Sequence, residues 1–458
     1  MKDYRLRKMA QRQRLAVLSL LAALATPAWA QSACVGDCDD DGSVDVAELL
    51  TGVQVALGAP LDTCPNLDGD GDLQVTVDEL TSAAGNVLQG CLESTEVDVF
   101  DGFHAGDVEF LASDDLDGRD NLSPESALAR AYLIDQIRDF TVGLNPAAAG
   151  DAAYEQIFAQ GTNVLALIPG GELADEYVIV GAHYDHFNGC NGVCNGATDN
   201  VAGTAAVLAV ARELADDLRP LRRSVVLAFW DGEEDGLLGS GHYIRNPLVP
   251  LNKTVAYINF DIQGANLLPS LRRFSFAVAP ETGGPRLRQL VDEAAAGIDL
   301  DLRALSFIFG QGRSDYFHFV NARVPTVFFS DSTGPCYHTS RDDIDVVDFG
   351  KLAKQSEIAT RLVERLAHTA VLPRYVRTVV SFSDALALRD LVATAQTNID
   401  RFPQEDQAFV SQFRTQLDTL IDEGPEKFDS LDVTTLVGGV VRVVTLLTEQ
   451  PCDGFLEP

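Results

Sequence analysis

Four short apolar runs in this chain each end in residues that can carry chemistry. Glu176 to Ala182 leads into His183-Tyr184-Asp185, and Val225 to Trp230 into Asp231-Gly232-Glu233-Glu234. Val255 to Phe260 leads into Asp261, and Val324 to Phe329 into a loop bearing His338. Asp199-Asn200 opens a fifth position, ahead of an Ala/Val/Leu-rich stretch with helical character. Short β-branched runs alternating with helical stretches predict an α/β fold: a mostly parallel or mixed central sheet, covered on both faces by helices. In such sheets ligands gather beyond the carboxyl ends of the strands. Two histidines, two aspartates and two glutamates assembled at that edge make a metal cluster, and imidazole with carboxylate suits zinc, with manganese as the harder alternative.

Glu233-Glu234 is the most telling pair. Adjacent carboxylates after a strand point in different directions, so one can ligate a metal while its neighbour handles a proton. Alone, the pair reads equally as a solvated acidic turn. The other strand ends give it meaning.

With these residues in view the chain resembles a family, the zinc aminopeptidases of the M28 type, which share their fold with glutaminyl cyclases. The resemblance spans roughly residues 107–370. It rests on Gly181-Ala182-His183-Tyr184-Asp185-His186, Thr198-Asp199-Asn200-Val201-Ala202-Gly203, Phe229 to Ser240, Asn259-Phe260-Asp261, Gly312-Arg313-Ser314-Asp315 and Tyr337-His338-Thr339, in that order. It implies a zinc-exopeptidase-like fold holding two zinc ions. Asp199 would bridge them, His183 and Asp261 would complete one ion, and Glu234 and His338 the other. Glu233 would be the general base and Asp185 would sit behind His183. Physical chemistry fits these roles. A bridging carboxylate holds two cations about 3.5–4 Å apart. An Asp two residues beyond a strand His lies on the same face and can accept the other imidazole N–H. Zinc lowers the pKa of water to about 7, so a nearby Glu can take its proton at neutral pH.

Tyr316 follows Asp315 where many family members carry His, a departure on the substrate side. Retention of both His183 and Asp185 favours the hydrolase over a glutaminyl cyclase-like acyltransferase. A catalytically dead binding domain is the reading from another class, and the full ligand set argues against it. His186 reads as a pocket-wall or surface residue. His104, His242, His318 and His368 have no ligand-like neighbours in sequence and read as structural. No GxxxxGK[ST] or strand-linked GxGxxG is present, so nucleotide chemistry is set aside. The substrate expected is a peptide or protein N-terminus.

Lys2, Arg5, Arg7, Lys8, Arg12 and Arg14 precede the apolar stretch Leu15 to Leu24 and Pro27-Ala28-Trp29-Ala30. This predicts a signal peptide over 1–30, too short to span a membrane, and a secreted or periplasmic protein. Its removal takes the net charge from −34 to −39, which disfavours nucleic acid and anionic membranes. The 8 cysteines of the mature chain are an even number in an exported protein and read as disulfides. Cys190 and Cys194 suit a small ring beside the site, with a thiolate zinc site as the alternative. Cys336 and Cys452 suit a tie between the C-terminal end and the His338 loop.

Residues 34–91 form a separate module with a 31-residue repeat. Asp37, Asp39, Asp41, Asp45 and Glu48 occupy positions 1, 3, 5, 9 and 12 of a calcium loop with Gly42 at position 6. Asp68, Asp70, Asp72 and Glu79 match at 1, 3, 5 and 12, with Leu73 in place of the usual Gly. One helical stretch follows each loop (Leu49 to Leu57 and Leu80 to Leu88), so the module resembles a dockerin or EF-hand pair, which implies calcium and a protein partner. Residues 92–106 are acidic and turn-rich and read as a linker ahead of the peptidase domain at 107–370. Residues 371–458 read as a helical C-terminal region, with Phe409, Phe413, Leu417 and Leu420 on one face.

Overall fold

The computed structural model describes residues 36–38, 44, 46–56, 63–64, 67, 75, 80, 83, 97–187, 189–216, 219–377, 382–450 and 452. The chain divides into two compact units, Met1–Val97 and Asp98–Pro458. In the first, helix α1 (Val46–Ala56) is described, and Val55, Cys64, Leu67 and Ala83 form a small core beside the Cys38–Cys64 disulfide. Asp37 is buried, and the Cys38 amide donates to Glu48 Oε1 at 2.7 Å. The signal-peptide residues 1–30 lie outside the described residues. So do Asp39, Asp41, Asp45, Asp68, Asp70, Asp72 and Glu79 of the calcium loops.

The second unit is built on a 9-stranded mixed sheet. Its strands are β1 (Val142–Gly143), β2 (Glu155–Phe158), β3 (Gly161–Ile168), β4 (Leu173–His183), β5 (Arg223–Trp230), β6 (Thr254–Phe260), β7 (Phe274–Val278), β8 (Asp301–Leu305) and β9 (Thr326–Ser330). They follow the order β1-β3-β5-β4-β6-β9-β7-β8, with β2 paired to β3. The centre, β5-β4-β6-β9, is parallel, while β3 and β7 join it antiparallel.

Successive side chains of a strand point to opposite faces, and here both faces are covered. Val225, Leu227 and Phe229 of β5 enter one core, and Val226, Ala228 and Trp230 enter the other. This is why the runs are apolar throughout rather than alternating. The first core is closed by α2 (Val97–Leu111), α3 (Pro124–Ile137), α4 (Ala202–Asp216), α6 (Gly284–Ala295) and α8 (Phe349–His368). The second is closed by α5 (Leu238–Arg245), α7 (Tyr316–Asn321) and three C-terminal helices, α9 (Phe382–Ala395), α10 (Gln404–Glu423) and α11 (Ser430–Thr448). Ser123 caps α3 by accepting the Ser126 amide N–H, with Pro124 at its first position.

Residues 97–106, expected as linker, are the opening turns of α2. The acidic composition of this stretch hid the helix. His104, Val108 and Leu111 are buried, His104 bonds to Ser356 on α8 at 2.8 Å, and Asp107 pairs with Arg212 of α4. The three disulfides among the described residues are Cys38–Cys64, Cys190–Cys194 and Cys336–Cys452, so the two expected pairings beside the site are both present. Among the described residues α11 is the one helix long and apolar enough to cross a membrane by length and composition. Leu436, Leu446 and Leu447 of that helix are buried in the second core, and Gly439 is buried as well.

Candidate metal centre

Parallel registry sets the site. Gly181 of β4 pairs with Ala228 of β5 and with Asn259 of β6, and His183 pairs with Trp230. The chain therefore leaves β4, β5 and β6 at one edge, with His183, the Asp231–Glu234 turn and Asp261 side by side. Phe260 pairs with Phe329, so β9 delivers the loop carrying His338 to the same edge. Asp199 arrives from the start of α4. Its backbone N–H and both the amide and hydroxyl of Thr198 donate to the buried Asp342 carboxylate, at 2.8–3.1 Å.

Six of the seven residues singled out from the sequence at this edge converge on two overlapping clusters. His183 Nε2 lies 3.3 Å from Asp261 Oδ1, 3.4 Å from Asp199 Oδ1 and 3.9 Å from Glu233 Oε2. His338 Nε2 lies 3.2 Å from both Asp199 Oδ2 and Glu234 Oε2. Asp199 is thus common to both clusters, one oxygen in each. The seventh, Asp185, stands behind them. Its two carboxylate oxygens accept the Glu233 and Glu234 amides at 3.1 and 3.2 Å. His183 Nδ1 is closer to the Asp185 main-chain oxygen (3.1 Å) than to Oδ1 (3.6 Å). One residue therefore orients both the imidazole and the Glu-Glu turn.

Two residues were not singled out for this centre. His186 is fully buried, and its Nδ1 meets Glu234 Oε1 at 2.7 Å. Its three-residue spacing from His183 was the available signal. Arg119, buried at a distance in sequence, donates to the main-chain oxygens of Tyr184 and Asn195 at 2.9 Å each and to that of Leu111. It ties the loop after β4 to the end of α2, and no local pattern announces it. The Cys190–Cys194 ring lies in that same loop.

Charge at the site is unbalanced in a way that a cation would correct. Burial pushes the Glu233 carboxyl well above the usual carboxylate range; His183 opposes this, and Asp261, Asp315 and Glu234 add to it. Burial would lower the His183 imidazole, yet the carboxylates of Glu233 and Asp261 raise it well above its ordinary value. His338, likewise disfavoured by burial, is lifted to about 10 by Asp199 and Glu234. Protons on the imidazoles thus compensate crowded carboxylates. Donor atoms of His183, Asp199 and Asp261 lie within 4.8 Å of one another, as do those of His186, Asp199 and Glu234. His338 Nε2, although 3.2 Å from two carboxylate oxygens, is in hydrogen-bond geometry with neither. Imidazole nitrogens set among carboxylate oxygens, with protons that a divalent cation would displace, are a donor set suited to zinc, so the residues present fit it.

Residues 163–363 match the profile of Peptidase family M28. "Probable glutamate carboxypeptidase VP8" of Zea mays is 32% identical over 234 residues, which cover 46% of this chain and 31% of that protein. "Leupeptin-inactivating enzyme 1" of Streptomyces exfoliatus is 31% identical over 184 residues, 39% of this chain and 38% of that one. The chain thus spans less than half the length of these curated relatives. Among solved structures, the LapA aminopeptidase of Legionella pneumophila aligns over 60% of this chain and 74% of its own at 17% identity, with a TM-score of 0.49. His183, Asp199, Glu233, Glu234, Asp261 and His338 all fall within the segment, residues 163–363, that matches Peptidase family M28.

Proposed function

We propose that this protein is an exported zinc aminopeptidase that releases amino-terminal residues from peptides. The observation that carries the reading is the shared carboxylate: Asp199 contributes one oxygen to the His183–Asp261 cluster and the other to the His338–Glu234 cluster. Two zinc ions would be held there, with Asp199 common to both and His186 beside Glu234 as a further imidazole. Bound zinc supplies Lewis acidity, polarising the substrate carbonyl and making water a nucleophile near neutral pH.

The protein's own contribution is to position groups and move protons. Glu233 takes a proton from the attacking water and passes it to the departing amine. Burial keeps its carboxyl basic enough for the task. Asp185 holds the Glu233-Glu234 turn by its backbone, so that one carboxylate faces the substrate and its neighbour the ligand set. Asp342 holds Asp199 from behind. The test is a panel of aminoacyl-coupled dyes given to the purified protein with and without chelator. Chelator-sensitive release of the dye supports the reading, and an inert protein with full zinc content refutes it. Metal analysis returning one tightly bound ion, unchanged by added zinc, would shift the assignment to a glutaminyl cyclase-like acyltransferase.

Two parts of the proposal concern the flanks. Residues 34–91 bind calcium through Asp37, Asp39, Asp41, Asp45 and Glu48 and through Asp68, Asp70, Asp72 and Glu79, and engage a protein partner. Carboxylates packed at EF-hand spacing repel one another without a cation, so calcium should raise protease resistance of this segment and leave peptidase turnover nearly unchanged. Asp41→Ala abolishing turnover while calcium still binds would refute the separate module. Export follows from the basic-then-apolar N-terminus and from the disulfides, which persist in oxidising compartments. The mature protein should begin at Gln31 by N-terminal sequencing.

A further inference from the structure

Beneath the metal centre a line of buried polar side chains runs from the end of β5 to Asp261. The Trp230 indole N–H donates to Tyr257 Oη at 2.8 Å, the Tyr257 hydroxyl to Asn259 Oδ1 at 2.5 Å, and the Asn259 amide to Ser314 Oγ at 2.7 Å. The Ser314 hydroxyl is left to bond the Asp261 carboxylate. Burial raises the pKa of that carboxyl, and the His183 imidazole and the Ser314 bond oppose the rise. None of the four donors is more than 1% exposed, so bulk water does not compete for these bonds.

The direction of this chain of bonds is forced. An indole can only donate, and an ionised carboxylate can only accept. Tyr257, accepting from Trp230, must send its one proton onward. The Asn259 atom that meets it is therefore the carbonyl oxygen, and the amide faces Ser314. Every proton points toward Asp261. Strand periodicity places the members: Tyr257, Asn259 and Asp261 are alternate residues of β6 and its end, so they share a face. Trp230 ends β5, on the far side of β4. Its indole reaches across because Gly181 of β4 has no side chain; a Cβ there would stand 3.0 Å from Trp230 Nε1 and 2.6 Å from the Ala228 main-chain oxygen. The Phe319 ring, stacked on Tyr257 with centroids 3.7 Å apart, holds the phenol in place.

We propose that Trp230, Tyr257, Asn259 and Ser314 act as one unit that fixes the Asp261 carboxylate toward the ion it shares with His183, so that the affinity for that ion depends on a hydroxyl, that of Tyr257, two side chains removed from the ligand. This rests on the zinc reading above. The four are positioning residues and stand outside the ligand set. Hydrogen bonds in series polarise one another, and the partners of a metal ligand set its orientation and donor strength. Without the Tyr257 hydroxyl, Asn259 Oδ1 loses its donor and the amide is free to turn. Ser314 is then no longer held with its proton on Asp261.

The test is zinc binding by the metal-stripped full chain in competition with a chromophoric chelator, followed by cobalt(II) substitution read by its d–d absorption. Ser314→Ala should weaken one of the two ions about 10–100-fold and leave the other unchanged. Tyr257→Phe should weaken the same ion about 3–10-fold. The double variant should bind as Ser314→Ala does, because the second break falls in a chain already cut. Both single variants should shift the cobalt bands. Tyr243→Phe, equally buried and 5.3 Å from the Trp230 ring but outside the chain, should keep the parent's affinity and bands. Trp230→Phe, which removes the first donor alone, should weaken the same ion and takes the place of Tyr257→Phe should that variant not fold. Parent affinity and bands in Tyr257→Phe, or losses that multiply in the double variant, overturn the unit and leave the metal centre intact. A parent chain that takes up no zinc overturns both.

Discussion

Two adjacent glycines on α11 provide a test of how the C-terminal helices pack. Around Gly438 there is nothing within 4 Å of an added Cβ, whereas at Gly439 that atom would sit 2.0, 2.3 and 2.5 Å from Cε2, Cζ and Cδ2 of Phe413. Both positions are interior to the helix, where Ala is favoured over Gly by about 0.8–1.0 kcal/mol. Gly438→Ala should therefore stabilise the protein by nearly that amount. At Gly439 the ring would have to retreat roughly 1.4 Å to reach an ordinary 3.4 Å contact, and overpacking of this kind costs about 1–3 kcal/mol. Set against the propensity gain, Gly439→Ala should be destabilising by about 0–2 kcal/mol, so the two neighbours differ by about 1–3 kcal/mol. Phe413→Ala costs about 3–5 kcal/mol on its own, but in that background the penalty at Gly439 should vanish, a coupling of about 1–3 kcal/mol. Urea unfolding followed by circular dichroism reads all four proteins. A Gly439→Ala variant as stable as Gly438→Ala would show that α10 and α11 do not pack as described.

Other outcomes follow from the same physics. Cys452→Ser opens the Cys336–Cys452 link across a separation of 116 residues; the loss should be about 2–5 kcal/mol, read by urea unfolding. Asp348 caps α8 by accepting the Lys351 amide and also binds Asn266 and Arg272. Burial opposes its ionisation, yet those partners depress its pKa below the ordinary value. Its stabilisation is thus present above the unfolded carboxylate pKa and is lost as pH falls through the lower folded one. Asp348→Ala should cost about 1 kcal/mol at neutral pH, and the difference in melting temperature from the parent should shrink below about pH 4. An undiminished difference at pH 2–3 would contradict that assignment.

Much of this architecture was legible because the central strands are buried on both faces. Their apolar runs are continuous, and in a parallel sheet their ends must share one edge, so His183, Glu233, Glu234 and Asp261 could be placed together before any coordinates. Asp199 and His338 came with the same logic plus the resemblance. Arg119, Asp342 and His186 did not. A buried arginine that bonds main-chain oxygens at three places, or an aspartate that receives amide N–H groups from another segment, leaves no periodic trace. The helix Val97–Leu111 was hidden by its acidic composition, since only its buried face, with His104, Val108 and Leu111, reports its packing.

The central claim, that two neighbouring carboxylates hold different offices, is tested most directly by Glu233→Gln with zinc content and turnover measured on the same preparation. Gln keeps the size of Glu233 and most of its hydrogen bonding but cannot accept the proton from water. The account predicts zinc content equal to the parent protein and turnover lowered about 10²–10⁴-fold. Loss of zinc in Glu233→Gln, with zinc retained in Glu234→Gln, would contradict it and exchange the two roles.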